Sequence, residues 1–360
     1  MGKVRFSLFH LAQDASGRPY EDLYAEALEL GVLAERLGFD AVWLAEHHFS
    51  NFSVSPSPNL LMAALFERTE RIRVGNMINV LPFHHPLRAA EEAAMLDRLS
   101  GGRLNFGIGR GIQPKEFERM GVPMAESRER FLESLDVIVK AWTQESFAHE
   151  GKYYRFAELS LHPTPLQKPH PPIVLSATSP DTLRFAAEKG YPTATMFLPA
   201  PKIAEGYELY RARWKECGHA GAAPGISLCR HMYVAPTNEE ARRDTEETLM
   251  GYWRALLQVG IPADGPTSLP DAYKFYTGLY PMLGSLTYDD LLNSDLLVFG
   301  DPETCVEKIV RHADAFPLDE FLCLAAFGTL AHAKVKRSME LFAKEVVPEV
   351  RRRLDGRSGN

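Results

Sequence analysis

No stretch of this sequence approaches the ~18 consecutive apolar residues that a membrane span requires. The first apolar segment, Met1 to Phe9, is too brief for the apolar centre of a secretion signal. Cysteine is scarce: Cys217, Cys229, Cys305 and Cys323 are scattered with no C-x-x-C pair. That argues against a disulfide framework or a cysteine-built metal site and fits free thiols in a reducing compartment. Basic runs are missing too. The net charge is −7, and the only cluster, Arg351-Arg352-Arg353, reads as a solvated helix end, so nothing favours nucleic acid or an anionic membrane surface. Internal repeats and low-complexity tracts are absent. These absences leave a globular, cytoplasmic protein, for which 45% hydrophobic and 24% charged residues are ordinary.

What is present is alternation. Short β-rich runs at Val4 to Phe9, Ala41 to Ala45, Ile72 to Val80, Arg103 to Ile108, Ile173 to Ser176, Thr193 to Phe197, Ile226 to Val234 and Glu320 to Ala326 alternate with longer helical patterns. The helices are expected at Tyr20 to Leu37, Asn59 to Arg68, Leu87 to Leu99, Ala125 to Trp142, Pro180 to Lys189, Ala204 to Cys217, Glu239 to Val259 and Pro302 to Ala315. A last one is expected at Ala331 to Arg353. Strand–helix repetition argues for a parallel sheet, and eight units in 360 residues suit a single α/β domain, a (β/α)8 TIM barrel with insertions. One stretch breaks the pattern. Pro262 to Phe299 is rich in Gly, Pro, Tyr and Asp and is expected to be an irregular lid or binding loop.

In such a barrel the chemistry lies where strands end. The second strand runs into Glu46-His47-His48-Phe49, three ionisable residues in a row, and histidine is the usual acid or base near neutrality. Successive strand residues face opposite ways, so His47 and His48 are not both expected in the barrel mouth. A metal would need further ligands, and His84-His85, the obvious supply, matches no zinc spacing. Asn76 and Asn79 in the apolar third strand need hydrogen-bond partners, either neighbours or a ligand. The fourth strand ends in Gly107-Ile108-Gly109-Arg110-Gly111, where glycines admit close approach of a planar ligand. Ile112 stands where a dinucleotide fingerprint needs glycine. Arg110 can grip a phosphate, and Arg128, opening the next helix, can reach the same anion. The fifth strand ends in Ser176-Ala177-Thr178-Ser179-Pro180-Asp181-Thr182 at a helix start, a capping arrangement that also binds anions.

In order, these residues resemble the bacterial luciferase-type flavin monooxygenases, most of all the luciferase α subunit. The likeness runs through Gly38-Phe39-Asp40, Trp43 to Phe49, Val74-Gly75, Val80-Leu81-Pro82, His85-Pro86, Leu96-Asp97, Gly102-Arg103, Phe106 to Gly111 and Ser127-Arg128. It continues in Gly300-Asp301-Pro302-Glu303 and Ser338 to Phe342. The resemblance implies a barrel that binds reduced FMN (FMNH2), a separate NAD(P)H:flavin reductase, O2 attack at flavin C4a, and commonly a dimer. It implies that His47 is the catalytic histidine, supported by Glu46 and His48. It further implies that Arg110 and Arg128 hold the FMN phosphate beside Ser176, Ala177, Thr178 and Thr182. Met77-Ile78 falls where the family has a non-prolyl cis peptide under the flavin, and 262–299 falls where it keeps a mobile lid. Three departures stand out. Gly109 replaces a reactive cysteine, Ala177-Thr178 replaces Glu-Ser, and Phe197 replaces a tryptophan beside the flavin. They count against light emission and long-chain aldehydes and leave the flavin site intact. Phe9, Trp43, Phe49, Phe83, Phe197 and Trp253 are expected to wall a pocket for a small apolar or aromatic substrate, which would gain one oxygen atom. Two rivals stay open: an F420-dependent hydride-transfer enzyme of the same superfamily, and a non-catalytic subunit like luciferase β.

Overall fold

The computed structural model describes residues 3–261, 265 and 269–356, without the side chain of residue 272. The described residues form eleven strands: β1 (Arg5–His10), β2 (Ala41–Leu44), β3 (Arg73–Val80), β4 (Leu104–Gly109), β5 (Phe147–Glu150), β6 (Arg155–Leu159), β7 (Ile173–Ser176), β8 (Thr193–Thr195), β9 (Ile226–Val234), β10 (Leu297–Gly300) and β11 (Leu318–Leu324). Eight of them pair in parallel in the order β1-β2-β3-β4-β7-β8-β9-β11 and return to β1, closing the expected (β/α)8 barrel. Closure is made by Thr193 beside Ile226 and by Arg5 beside Glu320. Closing the sheet removes its free edges, and parallel strands need covering on both faces, which the helices supply.

The described residues also form thirteen α-helices: α1 (Tyr20–Arg36), α2 (Pro58–Phe66), α3 (Pro86–Leu99), α4 (Pro114–Met120), α5 (Ser127–Thr143), α6 (Pro180–Lys189), α7 (Ala200–Glu216), α8 (Asn238–Gly260), α9 (Lys274–Ser285), α10 (Tyr288–Asn293), α11 (Pro302–Ala315), α12 (His332–Leu341) and α13 (Val347–Asp355). Strand alternation divides the apolar residues into two layers. Phe6, Leu8, Val42, Leu44, Val74, Phe106, Ile108 and Leu175 face outward against the helices. Phe9, Trp43, Val174, Ala194, Cys229, Leu322 and Leu324 fill the barrel and its mouth. Inside the barrel Glu320 is 1% exposed and is satisfied by Ser7 Oγ at 2.5 Å, Trp43 Nε1 at 2.9 Å, Ser227 Oγ at 3.1 Å and Arg5 at 3.3 Å.

Several expectations are revised. The stretch 262–299 is not irregular throughout: α9 and α10 occupy much of it, and β10 adds a ninth parallel strand beside the last residues of β9, with Leu297 opposite His231. Residues 262–264 and 266–268 lie outside the described residues. Gly278 and Pro281 mask the helical signal of α9, yet Tyr276, Leu279, Tyr280 and Leu283 recur at helical spacing on one side. Pro281 sits within the helix without an amide hydrogen to give. The antiparallel hairpin β5–β6 was not expected, and the connection after β4 contains α4. The final helical run extends unbroken from 332 to 355, close to the range expected, and widens into a π turn at Phe342–Val346 between α12 and α13, just ahead of Pro348.

Candidate active site

At the C-terminal ends of the strands two adjoining cavities open. The smaller, about 590 Å³ including its open mouth, is bordered by Arg110, Arg128, Ser176, Thr178, Asp181 and Thr182 among others. The larger, about 1110 Å³ on the same basis, continues over the barrel past Phe9, Glu46, His47, Met77, Glu116 and Phe197. Ile78, Gly111, Ile112, Ser176, Thr178 and Tyr276 border both, so one elongated molecule can occupy the two together.

β3 contributes Ile78 where the two cavities join. Its pairing with β4 slips by one residue between Asn76 and Asn79, and Met77 and Ile78 in that bulge are joined by a non-prolyl cis peptide. Asn76 Oδ1 accepts the Gly107 amide at 3.1 Å, while Asn76 Nδ2 and Asn79 Oδ1 are buried with no partner among the described residues. The glycines of β4 serve this contact. A Cβ at Gly107 would stand 2.0 Å from the Asn76 carbonyl oxygen, and one at Gly109 would stand 2.2 Å from the Ile78 side chain. Both glycines bring β4 against β3, and Gly109 also borders the smaller cavity.

The smaller cavity has anion chemistry. One guanidinium nitrogen of Arg110 is buried with no hydrogen-bond partner among the described residues, while the guanidinium lies over the Tyr273 ring at 5.0 Å. Arg128, half-exposed, pairs with Asp181 at 3.4 Å. Ser179 caps α6, accepting the Thr182 amide, so that helix turns its free amides toward the same place. Ser176 and Thr178 border the cavity, and the intervening Ala177 is buried in the outward layer against the helices. The orphaned Arg110 nitrogen, two hydroxyls and a helix start fit the phosphate of FMN.

The larger cavity is apolar with an acid–base edge. β2 stops at Leu44, and the next residues leave the strand before the histidines. His47 borders the cavity, its side chain 21% exposed, with Nδ1 held 3.1 Å from Glu116 Oε1 and 3.0 Å from the Gln113 amide nitrogen. That leaves Nε2 as the ring nitrogen free for a bound molecule. His48 is buried and turns to Glu46 Oε1 at 3.1 Å, where His84 Nε2 also arrives at 2.8 Å. Glu46 also accepts the Val80 amide at 3.1 Å. Burial pushes the Glu46 carboxyl up, but His84 and His48 outweigh it and hold it at about 2. Burial pushes His84 down, and the Glu46 charge carries it above its ordinary value instead.

Glu116 and Gln113 on and before α4 were not singled out in the sequence. Glu116 is 2% exposed and holds both the His47 ring and, at 2.8 Å, the His48 amide. The available signal was an acid two residues after the first proline beyond the glycine run. The aromatic wall also differs from expectation. Phe9 and Phe197 border the cavity, joined by Phe52, Tyr252, Tyr276 and Tyr280. Trp43 is inside the barrel on Glu320, Trp253 donates to the Leu283 carbonyl, Phe83 packs on Phe117, and Phe49 is 54% exposed at φ +57°.

A closed (β/α)8 barrel with an anion-binding end and an apolar, histidine-edged end can hold an elongated, phosphate-bearing ligand of flavin type. The model of the luciferase-like monooxygenases matches residues 4–317, and the chain belongs to that family. It is 35% identical over 365 aligned residues to the oxygenase component of flavin-dependent trigonelline monooxygenase from Acinetobacter baylyi, covering 96% of this chain and 95% of that protein. In fold it is similar to the oxygenating constituent of 3,6-diketocamphane monooxygenase from Pseudomonas putida, a type II Baeyer-Villiger monooxygenase solved with FMN. That likeness has a TM-score of 0.81 at 24% identity, over 97% of this chain and 99% of the other. An F420-dependent secondary alcohol dehydrogenase shares the fold at TM-score 0.76 and 17% identity, over 97% of this chain and 99% of the other.

Proposed function

We propose that the chain is the oxygenase component of a two-component monooxygenase that uses reduced FMN and O2 to place one oxygen atom in a small, largely apolar organic molecule. The observation that carries this reading is the unpartnered Arg110 nitrogen at the head of a cavity that runs past Met77-Ile78 to His47. Bound reduced FMN would supply the electrons that activate O2. Arg110, Arg128, Ser176, Thr178 and Thr182 would hold its phosphate, and Met77, Ile78 and Gly109 would border its ring. His47, set by Glu116 and Gln113, offers Nε2 as the group that gives and takes a proton, while Glu46 and His48 fix the turn that carries it. The apolar wall and α9 exclude water. The name of the Acinetobacter relative, an oxygenase component, supports a separate reductase as partner.

Anaerobic titration with FMNH2 and with reduced F420 separates this reading from its hydride-transfer rival. The expected result is FMNH2 binding at least about a hundredfold tighter, a difference of about 2.7 kcal/mol. Tight F420 binding with FMNH2 ignored would replace the proposal. A His47→Ala variant with unchanged turnover would show that this histidine does not carry the chemistry, and a chain that binds FMNH2 but turns over no substrate would favour the non-catalytic subunit.

A further inference from the structure

Two side chains bordering the larger cavity have buried polar atoms with no partner among the described residues: Thr195 Oγ1 and the Tyr280 hydroxyl. Thr195 ends β8 one residue beyond Ala194, which is paired with Ser176, so it lies at the side of the cavity that adjoins the anion end. Tyr280 borders only the larger cavity. It is carried by α9, stacked on Tyr276 at 6.0 Å, and is 3% exposed. Its phenol end lies so close to α8 that a Cβ at Gly260 would stand 2.8 Å from the hydroxyl oxygen. A buried hydroxyl with no partner is costly, and an occupant of the cavity that it borders can supply one. Burial, with Tyr276 and the Glu116 charge nearby, pushes the phenol up, so it remains an O–H donor.

The charges bordering the cavity point the same way. Its ionisable side chains other than tyrosine and cysteine are Glu46, His47 and Glu116, with no Lys or Arg among the described residues. Residues 262–264 and 266–268 contain no Lys, Arg or His in sequence. A carboxylate or sulfonate would enter beside two buried carboxylates without a fixed cation to meet it.

We propose that Tyr280 sets substrate specificity by donating a hydrogen bond to an uncharged acceptor oxygen on an otherwise apolar molecule, and that anionic substrates are shut out. This deepens the function proposed above and rests on reading the larger cavity as the substrate side of the flavin site.

The test uses the full chain labelled at its methionine methyl groups, because Met77 and Met196 border the cavity and report its occupant by NMR. The probes are 1-tetralone, its hydrocarbon tetralin, and 2-naphthoate. The wild type should bind 1-tetralone about tenfold tighter than tetralin, as one hydrogen bond allows, with no Met77 or Met196 shift from 2-naphthoate. Tyr280→Phe should reduce the tetralone preference to about onefold while leaving tetralin binding unchanged, and Thr195→Val should keep it. A preference that survives in Tyr280→Phe, one that vanishes instead in Thr195→Val, or 2-naphthoate binding in the cavity overturns the assignment. A parallel FMN titration read on the Met77 methyl keeps the two readings apart: its failure removes the flavin site and leaves the tetralone result to judge Tyr280.

Discussion

At the residue scale the site works because single side chains are held by partners that leave one atom free. His47 is the clearest instance: it borders the cavity with Nδ1 beside Glu116 and Gln113, which leaves Nε2 as the ring nitrogen for a bound molecule. His47→Gln should lower turnover about 10²–10⁴-fold, the ordinary contribution of a positioned acid or base, with FMN affinity nearly unchanged. Glu116→Gln should cost less, about tenfold, because the ring loses the carboxylate that holds Nδ1. Turnover equal to the parent's would deny Glu116 that role. At the other end Arg110→Met should weaken FMN about 10–100-fold, the scale of a charge-assisted hydrogen bond, and leave riboflavin affinity alone. Equal loss for both flavins in calorimetry would place the phosphate elsewhere.

Glu46 makes a stability prediction. Its carboxyl is held at about 2 against an ordinary 4.5, so the stabilisation is fully present above pH 4.5 and is lost as pH falls through 2. The depression corresponds to roughly 3 kcal/mol by the usual conversion. Glu46→Gln keeps an acceptor for the Val80 amide but removes the charge that His84 and His48 face. Denaturant melts should show a loss of that order at pH 7 and a flatter stability curve between pH 4.5 and 2. His84 is the reciprocal case: its raised value gives stability below its ordinary 6.5 that is lost as pH rises past the folded value.

At the scale of elements, β3 and β4 matter most. Met77 and Ile78 in the bulge reach the cavity because Gly107 and Gly109 let β4 lie against β3. Gly107→Ala puts a carbon 2.0 Å from a backbone oxygen that no side-chain rotation relieves. It should cost at least the 1–3 kcal/mol of ordinary overpacking, seen as a lower Tm and weaker FMN binding together. A variant as stable as the parent would show that the strands have slack. The same strands show what was legible beforehand. The order of strands and helices, and the grouping of His47, Arg110 and Thr178 at strand ends, follow from alternation and turn chemistry. Ala177 was placed with its neighbours because it resembled a matched position, whereas alternation turns it outward. Glu116 stayed hidden because α4 is a helix of about two turns whose partners are some seventy residues away along the chain. Helix α9 was hidden by its glycine and proline, which local propensity counts against a helix while packing of its aromatic side favours one.

At the scale of the whole molecule, barrel closure sets all these residues on one rim, and the two cavities meet across Met77-Ile78. The layers follow from period-2 alternation, so Trp43 belongs to the barrel interior with Glu320 and not to the substrate wall. Membership of the luciferase-like monooxygenases and the fold agree with the colinear motifs, and the wall of the larger cavity is contributed partly by α8 and α9. The most direct measurement is a crystal structure of the protein soaked with FMN. The phosphate should lie on Arg110 with Ser176, Thr178 and Thr182, and the ring should lie against Met77-Ile78 with its reactive edge toward His47. FMN bound outside these two cavities, or with its phosphate at the His47 end, would contradict the proposed site.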